Sequence, residues 1–128
     1  MTTPIDATTP RILILDDERQ IHSSLRLRLG NDYDLVCHAK PREALGTIQR
    51  QQFDLCIVDV HMPEMDGLET IRAIRKRAKF KALPIIALTA KAMKGDRENC
   101  IEAGASDYIA KPVDTEQLLS LLRVWLYR

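Results

Sequence analysis

A chain of 128 residues with 45% apolar and 29% charged side chains is long enough for one domain with a sizeable core. Its formal charge of +1 excludes a protein that grips nucleic acid through bulk charge, which needs a strong basic excess. No apolar run reaches membrane-spanning length and no basic-then-apolar leader follows Met1, so the expected setting is cytoplasmic, with no membrane contact by this segment.

Residues 1–10 are Thr- and Pro-rich without periodicity and read as a flexible tail or linker end, leaving 11–128 as the folded domain. Ile12 to Leu15 is a short apolar run that suits a strand buried on both faces, and it ends in Asp16-Asp17-Glu18. Ile21, Leu25 and Leu29 recur at helical spacing until Gly30-Asn31 stops them. Leu35 to Cys37 is a short strand, and Pro41 suits the first position of a helix that faces inward through Ala44, Leu45 and Ile48.

Leu55 to Val58 is the next buried strand, and it stops at a carboxylate, Asp59. Pro63 and Asp66-Gly67 mark a loop, with Asp66 placed to cap the helix that turns Leu68, Ile71 and Ile74 inward. Arg72, Arg75, Lys76, Arg77, Lys79 and Lys81 form its solvated side, with a phosphate-tracking patch as the alternative. Ile85 to Leu88 is the fourth strand, ending at Thr89-Ala90. A more polar helix follows, from about Lys91 to Ala103, and Gly104 stops it. Tyr108 to Ala110 is the fifth strand, ending at Lys111-Pro112, and the last helix carries Leu118, Leu121, Leu122 and Trp125 on one face. Cys37, Cys56 and Cys100 are odd in number, lack a C-x-x-C spacing and read as reduced core residues.

Five strands alternating with five helices imply an α/β fold with a parallel sheet covered on both faces. The strand order does not follow from periodicity. In such a sheet the residues at the carboxyl ends share one edge: Asp16 and Asp17, then Asp59, Thr89 and Lys111. Two like charges about 4 Å apart cost about 4 kcal/mol at an effective dielectric of about 20, so clustered carboxylates call for a compensating cation. Magnesium, which favours one or two carboxylates plus a phosphate oxygen, suits them, and Lys111 adds a further positive charge. A carboxylate is also a nucleophile towards phosphorus, so the set reads as a phosphorylatable aspartate with its own Mg2+, Lys111 and Thr89 binding the transferred group. Taken singly, each residue has a plainer reading: Asp16-Asp17 or Thr89 as helix caps, Asp59 as a turn residue, Lys111 as a solvated loop lysine.

The stretches Ile12 to Glu18, Ile57 to Gly67, Ala87 to Ala90 and Asp107 to Pro112, in that order, resemble a two-component response-regulator receiver domain from about Arg11 to Arg128. The resemblance implies a (βα)5 flavodoxin-like fold, a three-layer sandwich with strand order 2-1-3-4-5. It implies that Asp59 is the phosphoacceptor and that Asp17, Asp59 and the His61 backbone carbonyl hold Mg2+ directly, Asp16 acting through water. Lys111 would pair with the phosphoryl group, the Lys111-Pro112 bond would be cis, and Thr89 and Tyr108 would be the switch pair. The expected partner is a histidine kinase or histidine phosphotransfer domain, docking over Glu18, Ile21, Pro112 and Val113.

The segment from Ala90 to Glu98 resembles receivers attached to hybrid sensor histidine kinases; a stand-alone diffusible receiver is the alternative. The His61 side chain and Lys91 sit beside the expected phosphoryl site, as tuners of phosphate loss or as plain loop residues. An aspartate-nucleophile phosphohydrolase would need a second Asp where His61 stands, and the five glycines form neither G-x-G-x-x-G nor a P-loop. Leu119, Leu126 and Val124 widen the apolar arc of the last helix, either as scattered surface residues or as a self-association surface.

Overall fold

In the computed structural model, which describes residues 9–61, 67–90 and 95–127, strand and helix alternate along the chain. The order is β1 Arg11–Leu15, α1 Arg19–Leu29, β2 Asp34–His38, α2 Pro41–Arg50, β3 Leu55–Asp59, α3 Gly67–Arg75, β4 Ile85–Thr89, α4 Asp96–Ala103, β5 Asp107–Ala110 and α5 Thr115–Leu126. A short 3-10 turn, Ala78–Phe80, precedes β4 and was not expected from the sequence. The expected tail up to residue 8, the Asp66 cap, and Lys91 with the first turn of the fourth helix lie outside the described residues.

All five strands pair in parallel, in the order β2-β1-β3-β4-β5. This is the flavodoxin-like arrangement, and its cause is visible in the burial pattern. Strands β3 and β4 are buried at every position, so successive side chains must satisfy two different apolar layers. Leu13, Leu15, Cys56, Val58, Ile85 and Ala87 pack on the side of Ala44 and Ile48 of α2, Ile71 and Ile74 of α3, and Cys100 and Ala103 of α4. Ile12, Ile14, Leu55, Ile57, Ile86, Leu88 and Ile109 pack on the side of Leu25 and Leu29 of α1 and Leu118 and Leu122 of α5. The three layers follow directly from this period-two division.

Several local expectations shift. Asp59 and Thr89 are the last residues of their strands rather than the first beyond them, because the ladder continues through Val60 N–H to the Leu88 carbonyl at 2.9 Å and Lys111 N–H to the Thr89 carbonyl at 2.7 Å. Arg75 is not part of the solvated basic side. It is half-buried, donating Nε–H to the Gly104 carbonyl at 2.8 Å and Nη1–H to the Phe80 carbonyl at 2.6 Å, and so serves the ends of α4 and of the 3-10 turn. Gly104, at φ +119, ends α4 in the left-handed region, as its place after Ala103 suggested. Cys56 and Cys100 are buried, but Cys37 is only half-buried because β2 is an edge strand. The core takes up more of the α5 apolar arc than expected: Leu119 and Leu126 pack partly against it, leaving Val124 exposed at 53%.

Helix α3 begins in direct contact with the end of β3. A Cβ on Gly67 would collide with the Asp59 carbonyl oxygen and lie 2.5 Å from the Val60 Cα, so only hydrogen fits. Gly67→Ala is expected to destabilise the domain by about 1–3 kcal/mol, the usual cost of overpacking a filled site. Urea unfolding would show this as a lowered midpoint with an unchanged slope.

Candidate functional site

The parallel sheet delivers the ends of β1, β3, β4 and β5 to one edge, and their side chains meet there. Asp16 follows β1, its own N–H paired to the His38 carbonyl at 3.1 Å, so its backbone is held as firmly as a strand residue. Asp59 closes β3 and Thr89 closes β4; Asp16, Asp59 and Thr89 are essentially buried, at 0%, 1% and 0% exposure. Lys111 follows β5 and reaches back across the edge. Its Nζ lies 3.0 Å from Asp16 Oδ2, 3.3 Å from Asp59 Oδ2 and 3.1 Å from Glu18 Oε1.

Asp16, Asp17 and Asp59 each offer a carboxylate oxygen within 4.8 Å of one another, and Asp17 is the exposed member. Three carboxylates against the single Lys111 ammonium leave two negative charges over, before Glu18 is counted. Oxygen donors with excess negative charge suit a hard dication such as Mg2+. Asp16 Oδ2 supports that fit: it is buried and accepts no hydrogen bond, its approach to Lys111 being an ion pair without hydrogen-bond alignment.

The electrostatics of the two central groups oppose one another. Burial pushes the Asp59 carboxyl up to about 6; Asp16 adds repulsion, while the His61 amide, donating to Oδ1 at 3.0 Å, and Lys111 pull it back. Burial alone would lower the Lys111 ammonium, but its contacts with Asp16, Asp59 and Glu18 outweigh that and hold it above its ordinary range.

Thr89 is in a hydrogen-bond chain of its own. His61 Nε2 lies 3.0 Å from Thr89 Oγ1, and Thr89 Oγ1 donates to Asp96 Oδ2 at 3.2 Å. Asp96, the first residue of α4, escaped the sequence reading although the Gly95-Asp96 step marks a turn into a helix. Tyr108 pairs with Ala87 as Ala110 pairs with Thr89, which puts Thr89 and Tyr108 on one sheet face; Tyr108 is half-buried there.

The four docking candidates divide into two kinds. Glu18 is exposed and bound to Lys111, and Pro112 is exposed after a cis Lys111-Pro112 bond. Ile21 and Val113 are half-buried against the α1–α5 side of the core. The expected metal ligand at His61 is a backbone carbonyl, and that residue's amide and ring already reach Asp59 and Thr89.

Residues 12–123 match the family described as the response regulator receiver domain. The chain is 40% identical over 119 residues to the response regulator MprA of Mycolicibacterium vanbaalenii, covering 92% of this chain but 51% of that one, so it spans about half the length of such relatives. It is 32% identical to the chemotaxis protein CheY4 of Vibrio cholerae, with a TM-score of 0.87 and coverage of 93% and 100%. It is 34% identical to the receiver domain of the sensor histidine kinase PA1611 of Pseudomonas aeruginosa, a structure described with a magnesium ion coordinated in the active site cleft, with a TM-score of 0.82 and coverage of 94% and 100%.

The raised Asp59 value makes a stability prediction. The folded carboxyl holds its proton more tightly than the unfolded one, near 3.8, so between about 4 and 6 the folded state binds more protons and stability from this group falls as pH rises. Without divalent cations, Asp59→Asn should therefore raise the melting temperature by several degrees at pH 7.5 and by much less at pH 4. An unchanged or lowered melting temperature at pH 7.5 would contradict the buried-charge account.

Proposed function

The chain belongs to the response regulator receiver domain family, a family of signalling domains, and on that premise we propose that Asp59 accepts a phosphoryl group from a phosphohistidine and thereby switches the domain. The observation that carries this reading is the buried Asp59 carboxylate, bracketed by Lys111 Nζ at 3.3 Å on Oδ2 and the His61 amide at 3.0 Å on Oδ1. In the transfer, an Asp59 oxygen attacks phosphorus, the P–N bond to the donor imidazole breaks, and its electron pair stays on the ring nitrogen. The phosphohistidine partner supplies the phosphoryl group and serves as the leaving group.

Asp16, Asp17, Asp59 and the His61 carbonyl would hold Mg2+, which when bound neutralises charge on the transferred group. Lys111 already stands between Asp16 and Asp59 and needs little reorganisation to meet a phosphoryl oxygen, which favours the transition state over the resting carboxylate. Exposed Asp17 and Ala90 leave the edge open to a donor. Thr89, hydrogen-bonded elsewhere at rest, is the group that turns to the phosphoryl oxygen, with Tyr108 following on the same sheet face. Glu18, Ile21, Pro112 and Val113 form the rim over which a histidine kinase or phosphotransfer domain docks. The cytoplasm suits such a partner and the three free thiols.

The likeness to the PA1611 receiver favours a hybrid-kinase setting, and the likeness to CheY4 favours a stand-alone receiver. The two differ in what the phosphorylated domain does next. A hybrid receiver passes the group on to a histidine phosphotransfer protein, whereas a stand-alone one binds a target while phosphorylated.

Acetyl phosphate with Mg2+ should label the wild-type chain at one site, and Asp59→Asn should abolish the label; labelling that survives this substitution rules Asp59 out as the acceptor. Lys111→Ala should slow labelling by about a hundredfold, the usual loss for one preorganised donor to a developing oxyanion. Charge substitutions at Ile21 or Val113 should slow transfer from a phosphohistidine protein while sparing acetyl phosphate. Equal loss from both donors would point to damage of the half-buried packing instead.

A further inference from the structure

We propose that Asp96 is a positioning residue of the switch, which holds the Thr89 hydroxyl proton at rest and competes with the phosphoryl group for it. The inference rests on Asp59 being the phosphoacceptor. It begins from the hydrogen-bond chain His61 Nε2, Thr89 Oγ1, Asp96 Oδ2, with separations of 3.0 Å and 3.2 Å.

Donor and acceptor chemistry sets the direction of that chain. An ionised carboxylate only accepts, so the Thr89 hydroxyl donates to Asp96. A hydroxyl has one proton, so Thr89 accepts from the ring, and His61 carries its hydrogen on Nε2. A phosphoryl oxygen on Asp59 is also only an acceptor. The single Thr89 proton therefore cannot serve Asp96 and the phosphoryl group both at full strength.

The surroundings make this a real choice. Thr89 is fully buried, so water is a poor substitute for either acceptor, and its β-branched side chain has few rotamers. The Asp96 carboxylate is fixed by its place: Gly95, at φ +101, turns the chain into α4, and a negative group is favoured at a helix start. His61 spans both sides, its amide on Asp59 Oδ1 and its ring on Thr89. When the hydroxyl leaves Asp96, the start of α4 loses a tie to the end of β4. Phosphorylation at β3 would thus be read out as a loosened α4.

Removing the resting acceptor should strengthen binding of a phosphoryl mimic. Beryllofluoride with Mg2+, titrated into the full chain and followed by amide NMR shifts, measures this at equilibrium. Asp96→Ala should lower its dissociation constant about tenfold, the scale of one hydrogen bond to a charged acceptor. Glu98 remains in the first turn of α4 in that variant, so the helix keeps an acidic start. Asp96→Asn, whose amide oxygen still accepts, should change the constant much less. In the Thr89→Val background, where no proton is contested, Asp96→Ala should have no effect. An unchanged or weakened affinity in Asp96→Ala, or the same tenfold gain with Thr89→Val present, would overturn the proposal while leaving Asp59 as the acceptor. A wild-type chain that does not bind the mimic at Asp59 would overturn the phosphoacceptor reading itself, and the competition with it.

Discussion

One ammonium group joins the strand ends of this domain into a single edge. Lys111 reaches from the end of β5 to Asp16 beyond β1 and Asp59 at the end of β3, and touches Glu18 at the start of α1. Buried charges are tolerated only when paired, and removing this ammonium would leave the Asp16 and Asp59 carboxylates stranded together at a cost of several kcal/mol, about 3–5 in typical cases. The pairing therefore demands that three strands end at matching heights. Backbone bonds that run past the strands, from Asp16 to His38, Val60 to Leu88 and Lys111 to Thr89, supply that accuracy.

Much of this was legible in the sequence, for a physical reason. Strands buried on both faces must be apolar throughout, so Ile12 to Leu15, Leu55 to Val58 and Ile85 to Leu88 stood out as runs, and the first polar residue after each marked the functional edge. Residues whose role is side-chain hydrogen bonding leave no such periodic trace. Arg75 sits among five other basic residues and looks solvated, yet the carbonyls of Phe80 and Gly104 draw it inward. Asp96 resembled any polar residue on a weak helix, because α4 buries only Cys100 and Ala103 and shows little apolar periodicity. The sequence puts the His61 side chain near the phosphoryl site, but its ring contact with Thr89 depends on how two strand ends are juxtaposed in space.

The same architecture separates what is rigid from what can move. The β3 end is held by the Leu88 ladder on one side and by the tight approach of Gly67 on the other, so the acceptor's backbone has little freedom. Thr89 ends its strand with a side chain whose partners include His61, in a loop, and Asp96, at a helix start. Side-chain exchange at Thr89 is thus a small event at the junction between the sheet and the start of α4.

Cys56 lies on β3 three residues before Asp59, and burial pushes its thiol up to about 12. A thiolate is a stronger nucleophile than a carboxylate, and a reactive one here would invite oxidation and alkylation of the strand that carries the acceptor. Held as a neutral, fully enclosed thiol, this sulfur is inert to electrophiles and peroxides alike. The strand that presents the domain's reactive oxygen thus keeps its own sulfur protonated and out of contact with solvent.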